Sequence, residues 1–136
     1  MNKFPHVNIY TDGGARGNPG PAACGAVIKD DGNQIIAELS KYLGETTNNV
    51  AEYNGVILAL EKVQSLGVVE IDFYLDSELV VKQLKQEYKV KDKNLQGLFV
   101  KIWNLSPKFK KIVYHHIPRE KNRAADRLVN QELDRQ

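Results

Sequence analysis

Val7 to Asp12 is a short apolar run that closes on a carboxylate, with two glycines after it. That pattern predicts a buried strand delivering an acid to the edge of a sheet. Gly13 to Pro21, rich in glycine and proline, predicts a turn. Ala22 to Lys29 predicts a second strand, whose small residues let it sit close to a neighbour, and Gln34 to Leu43 predicts a third. The intervening Asp30-Asp31-Gly32-Asn33 reads as a hairpin turn, because Gly and Asn accept positive φ. The first three strands therefore form an antiparallel meander.

After Gly44 the period changes. From Val50 the apolar positions recur at helical spacing, with Val50, Tyr53, Ile57 and Leu60 on one stripe and Val56, Ala59 and Val63 on the next. Asn48 or Asn49 is expected to cap this helix, and Gly67 to end it. Val68 to Leu75 predicts a fourth strand, ended by Asp76, and Ser77 can cap a short helix reaching Leu84. A third helix is expected from about Asn94 to Asn104, a fifth strand from Lys111 to Ile117, and a final helix capped by Asn122. The order β-β-β-α-β-α-α-β-α and the right-handed crossover rule make strand four parallel to strand one. The expected fold is a single α/β domain over residues 1–136: a five-stranded mixed sheet, three antiparallel strands then two parallel, flanked by helices.

At 136 residues, 42% hydrophobic and 26% charged, the chain has the composition of a soluble globular domain. No apolar run approaches the ~20 residues of a membrane span, and the N-terminus lacks a signal-peptide core, so a cytoplasmic protein without membrane partners is expected. Cys24 is the only cysteine, which excludes an internal disulfide and a cysteine zinc cluster. Net charge is +2 but unevenly spread: residues 1–76 hold five Lys/Arg against ten Asp/Glu, and residues 77–136 hold fourteen against seven. The basic half carries Lys82, Lys85, Lys89, Lys91 and Lys93, then Lys108, Lys110, Lys111, Arg119, Lys121 and Arg123. A lysine-rich stretch is often only a solvated surface; beside an acidic half it also suits a clamped polyanion.

Four acids stand at element boundaries. Asp12 and Asp76 end strands expected to be parallel, so both carboxylates emerge on one edge, where open α/β sheets place their sites. Glu52 shares a stripe with Val56, Ala59 and Val63, and Asp126 aligns with Val129 and Leu133, so both are turned towards protein. Taken singly, Asp12 can close a turn, Glu52 can complement a helix dipole, Asp76 can cap a helix, and Asp126 can pair with Arg123 or Arg127. Taken together, converging buried acids repel one another unless a cation joins them. An all-oxygen ligand set suits Mg²⁺ or Mn²⁺. Two such ions ~3.5–4 Å apart are suited to phosphodiester chemistry.

At these residues the sequence resembles type 1 ribonuclease H. The resemblance rests on Tyr-Thr-Asp-Gly-Gly-Ala-Arg-Gly-Asn-Pro-Gly-Pro (10–21), Thr-Thr-Asn-Asn-Val-Ala-Glu-Tyr (46–53), Leu-Asp-Ser-Glu-Leu-Val (75–80) and Asn-Arg-Ala-Ala-Asp (122–126), in family order. It implies a ribonuclease H-like fold and endonucleolytic hydrolysis of the RNA strand of an RNA–DNA hybrid, leaving 5′-phosphate and 3′-hydroxyl ends. It implies Asp12, Glu52, Asp76 and Asp126 as catalytic ligands of two Mg²⁺ ions, with Mn²⁺ able to substitute. Asn18 and Thr47 match positions that hold a phosphate of the DNA strand, and Asn48 and Asn49 match minor-groove residues contacting both strands. The loop that includes Gly13 and Arg16 matches a segment approaching the RNA.

Three departures from the family pattern stand out. Glu78 occupies a position where many relatives carry glutamine; a carboxylate can accept from a 2′-hydroxyl but cannot donate. The segment Glu87 to Lys93 is too short for the family's basic protrusion, so Tyr88, Lys89 and Lys91 are expected to substitute for it. The loop before the last helix carries Glu120 where many relatives have a product-releasing histidine, while one of His115 and His116 is expected in the core. A single catalytic domain without a separate hybrid-binding domain is expected, and so is a monomer. The competing readings are a nuclease also cutting dsRNA and a nucleic-acid-binding module without chemistry; the latter predicts an acid replaced, and all four are present.

Overall fold

A computed structural model describes residues 4–136. The strands are β1 (His6–Ala15), β2 (Gly20–Lys29), β3 (Ile35–Thr46), β4 (Glu70–Leu75) and β5 (Lys111–His116); the helices are α1 (Asn48–Gln64), α2 (Glu78–Leu84), α3 (Lys93–Leu105) and α4 (Arg123–Asp134). The sheet order is β3-β2-β1-β4-β5. β1 pairs antiparallel with β2 and parallel with β4, β2 pairs antiparallel with β3, and β4 pairs parallel with β5. The expected meander and both parallel pairings are present.

Alternation along β1 and β4 sorts the two faces. Val7, Ile9, Ile71, Phe73 and Leu75 are buried on one face in a core shared with Tyr53, Val56, Leu60 and Val63 of α1. On the other face α4 covers the meander, with Val129 and Leu133 packed on Ala23. That face is polar and aromatic over β1, β4 and β5: Tyr74 stacks between Tyr10 and His115 at centroid distances of 4.7 and 4.9 Å. Beside this stack, Asp72 accepts from His6 Nε2 at 2.7 Å and His115 Nε2 at 2.6 Å, and His6 Nδ1 also bonds Asp31 in the β2–β3 turn. His115 is thus a half-exposed partner of Asp72 and His116 is exposed, so neither is the core residue expected from the sequence.

Several boundaries differ by a few residues from the sequence expectation, and two of them, beside the acids, have a local reason. β1 does not stop at Asp12. It continues through Gly13 and Gly14 because both pair with β2, opposite Cys24 and Ala23, and the turn shrinks to residues 16–19. The cap of α1 is Thr47, whose side chain accepts from the Val50 amide at 3.2 Å, and Asn48 and Asn49 form the first turn. Ser77 caps α2 as expected, through the Val80 amide. Gly67 lies just beyond α1 with φ of 69°, a conformation that favours glycine. Among the described residues no helix is long and apolar enough to cross a membrane.

Candidate active site

The acids converge where β1 and β4 end beneath the start of α1. Asp12 lies near the end of β1, Asp76 follows the last residue of β4, and Glu52 sits in the second turn of α1. Each of these three offers a carboxylate oxygen within 4.8 Å of the other two. Asp12 and Glu52 are only 7% and 5% exposed, which makes their charge costly. Gly13 allows this crowding: a Cβ there would lie 2.2 Å from the Ala51 carbonyl carbon, so only glycine lets β1 approach the helix so closely. The Gly13 amide donates to Asp12 Oδ1 at 2.9 Å and to Glu52 Oε1 at 3.1 Å, tying the two carboxylates to one backbone group.

Nothing cationic completes the set. None of the ion pairs among the described residues includes Asp12, Glu52, Asp76 or Asp126. Glu52 Oε2 is buried without a hydrogen-bond partner. Burial pushes Asp12 up to about 7, opposed by its interaction with the Glu52 carboxyl and by the Gly13 amide and helped by the charges of Asp76 and Asp126. Burial also holds Glu52 well above the usual carboxylate range, with Asp12 adding to the effect. A buried acid pair with an orphaned oxygen and no basic partner fits a hard divalent cation, which would neutralise the charge and occupy the free lone pairs.

Asp126 stands beside this trio rather than inside it. It is half-buried in the first turn of α4, outside the set of mutually close oxygens, and its charge reaches Asp12. Its helix is positioned by Asn122, which the sequence presents as a cap. Asn122 occupies the cap position, but its side chain makes no capping bond. Instead Nδ2 donates to Thr11 O at 2.9 Å and to Asp76 Oδ2 at 3.3 Å, in a residue only 1% exposed. The signal for this was present in the chain: an amide four residues before Asp126 can reach across to the strand ends as easily as it can cap.

The hollow over the acids has a volume of about 420 Å³ and is lined by Gly13, Arg16, Asn48, Asn49, Ser77 and Arg119 as well as by Asp12, Glu52 and Asp76, but not by Asp126. Several expected substrate contacts are already bonded to backbone. Asn18 Oδ1 accepts from the Asn48 amide at 3.0 Å, Asn48 Oδ1 accepts from the Ala15 amide at 2.8 Å, and Thr47 caps α1. These bonds stitch the β1–β2 turn to the helix start. Arg16 is bonded to Asp134 at 2.7 Å. Asn49 also lines a second hollow with Tyr88, Lys89 and Lys91, joining the helix start to the basic segment after α2. Tyr88 is 49% exposed, with Lys82 Nζ 5.3 Å from its ring centre. Glu78 is exposed at the start of α2 and lines a different hollow, with His116. Glu120 is exposed in a 3₁₀ turn, Arg119–Lys121, that meets the acid hollow through Arg119. Ser77 and Arg119, expected as a helix cap and as part of the basic half, also line the hollow, as does Asn130, which carries no signal in the sequence.

A family model described as reverse transcriptase-like matches residues 10–132. The chain is 44% identical to a bifunctional protein of Mycobacterium tuberculosis over 129 residues, covering 94% of this chain and 35% of that protein. It is 41% identical to ribonuclease HI of Halobacterium salinarum over 128 residues, covering 94% of this chain and 64% of that one. The chain thus spans from about a third to just under two thirds of these relatives. The solved structure of LC11-RNase H1 in complex with an RNA/DNA hybrid matches with a TM-score of 0.91 and 48% identity, over 95% of this chain and 97% of that one.

Proposed function

The chain belongs to the type 1 ribonuclease H family, and from that premise we propose that it is an endonuclease cutting the RNA strand of RNA–DNA hybrids, with residues 1–136 acting as one catalytic domain. One observation supports this above the others: among the described residues Asp12, Glu52 and Asp76 gather with no basic side chain paired to them, and Glu52 Oε2 is buried with no hydrogen-bond partner. Asp12, Glu52, Asp76 and Asp126 would hold two divalent ions, Mg²⁺ or Mn²⁺. When bound, these cations supply the Lewis acidity that phosphodiester hydrolysis needs on both sides of the scissile phosphate, leaving 5′-phosphate and 3′-hydroxyl ends.

The chain's own residues position that chemistry. The Gly13 amide orients Asp12 and Glu52, and Asn122 fixes the Asp76 carboxylate. Gly13 and Arg16 face the RNA side of the hollow. Asn49, with Asn48 beside it, reads the minor groove, where an amide can both donate to and accept from base edges and a 2′-hydroxyl. Asn18 and Thr47 set the start of α1 against the DNA phosphate, and Tyr88, Lys89 and Lys91 contact the same strand further along. Glu78 accepts from a 2′-hydroxyl, and Glu120 acts when product leaves.

The test is cleavage of matched hybrid, dsRNA and dsDNA duplexes with Mg²⁺ or Mn²⁺, each strand separately labelled. Cutting confined to the RNA strand of the hybrid is expected. Comparable cutting of dsRNA would widen the substrate class, and absence of cutting on every duplex would leave a binding module.

A further inference from the structure

Beyond the acid hollow, a second groove follows the free edge of β5. At its far end a hollow of about 550 Å³ opens between the end of α2, α3 and β5. Phe99, Trp103 and Phe109 form its apolar wall, and Lys85, Lys110 and Lys111 stand around it, with no acid among its lining residues. Trp103 is 54% exposed, and its ring stacks on Phe99 at a centroid distance of 6.4 Å. This hollow shares Lys85 and Tyr114 with a neighbouring one along β5, which in turn shares Glu87 with the hollow of Tyr88, Lys89 and Lys91. The three hollows thus adjoin one another around α2, from the proposed duplex contacts to Trp103. Glu78 and Glu87 line the middle of that path, and Glu87 is paired with Lys85 at 3.4 Å.

We propose that this groove binds single-stranded nucleic acid continuous with the hybrid, with Trp103 as a base-stacking platform and Lys110 and Lys111 as phosphate contacts. Exposed aromatic faces set among lysines are the combination that single strands require, since every base has a face to stack and every linkage a charge. An acidic peptide would also suit the lysines. The continuity with the duplex-facing Lys89 and Lys91 and the broad open face of Trp103 favour the polynucleotide. The inference rests on the hybrid-nuclease reading for the direction from which the strand arrives, not for the groove itself.

Trp103 is the only tryptophan in the chain, so its fluorescence reports this groove alone. Titration of the full chain with an oligothymidylate of about twelve nucleotides, within the usual span of such sites, is expected to quench it. Lys110→Glu combined with Lys111→Glu should weaken that binding about tenfold at low salt. The slope of log K against log salt should fall by about 1.4, the loss of two single-strand phosphate contacts. Hybrids with a single-stranded tail should show a lower KM than blunt hybrids in the wild type only, with blunt cleavage unchanged in the variant. Unquenched fluorescence overturns the proposal. So does normal oligothymidylate binding by the Lys110/Lys111 variant, or quenching by a Glu-rich peptide ending in Phe but not by oligothymidylate. A wild-type chain that quenches with oligothymidylate but cuts no blunt hybrid overturns the nuclease reading and leaves the groove assignment standing.

Discussion

Asp72 within β4 and Asp76 just past its end face opposite fates. Asp72, inside β4, accepts from two histidines on neighbouring strands, and those bonds outweigh its desolvation to hold it below the usual carboxylate range. Asp76, just past the end of β4, has only the neutral Asn122 amide and two further acids beside it. One site is electrostatically complete and belongs to the architecture. The other gathers like charges with no basic partner, and such a cluster suits a divalent cation. The contrast separates structural acids from chemical ones by their partners, where burial alone would not.

The sharpest way to break the contrast is to remove one charge from each side. Asp12→Asn should abolish Mg²⁺-dependent cleavage, a loss on the order of 10³-fold or more. It should not destabilise the metal-free fold, since it relieves repulsion. Asp72→Asn should do the reverse, keeping most activity and lowering the unfolding free energy. Hybrid cleavage and denaturant unfolding of both variants check this, and comparable activity in the two would end the distinction.

Asn122→Ala comes next. It removes the amide that joins Thr11 to the Asp76 carboxylate, and leaves Asp76 free to rotate. The expected outcome is about a tenfold fall in kcat, the usual scale for losing a residue that orients a metal ligand. The concentration of Mg²⁺ needed for half-maximal rate should rise as well, which a purely structural defect would not produce.

The pH dependence of metal-free stability separates the sites further. Asp12 and Glu52 have raised folded values, so their contribution is fully present below the ordinary carboxylate range and is lost as pH rises through the folded value, about 7 for Asp12. Without divalent ions the wild type should lose stability between roughly pH 4 and 7. Saturating Mg²⁺ should restore about 2.7 kcal/mol at a hundredfold excess over its Kd. Thermal unfolding with EDTA and with Mg²⁺ measures both effects, and Asp12→Asn should blunt each.

Much of this was legible in the chain because strand ends and helix stripes are periodic. The alternation of β1 and β4 and the crossover rule together place Asp12 beside Asp76, and the stripe of Glu52 with Val56 and Val63 turns that acid inward. What was not legible depends on partners chosen in three dimensions. Gly13 reads as turn material until β2 is seen to pair with it. Asn122 reads as a cap until its amide is seen to reach Thr11. One of His115 and His116 reads as core because strand periodicity does not say which face of the sheet α4 leaves open. The hollow lined by Phe99, Trp103 and Lys110 joins segments whose chemistry shows no pattern along the sequence.

The smallest effect concerns the completed site. His6 bonds Asp72 and Asp31, and the Asp72 bond leads in raising its pKa above the ordinary 6.5. A raised histidine stabilises the fold fully below that ordinary value, and the contribution disappears as pH climbs through the folded one. Asp72 behaves oppositely: its share is present above the ordinary 3.8 and is lost as pH falls through its lowered value. The network should therefore be strongest between about pH 4 and 6.5. His6→Ala should cost about 1 kcal/mol near pH 5.5, discounted for partial exposure, and clearly less at pH 9. Urea unfolding at the two pH values is the measurement. A cost that does not change with pH would mean that His6 acts by packing alone, and that Asp72 is completed by His115 without a charged partner on its other side.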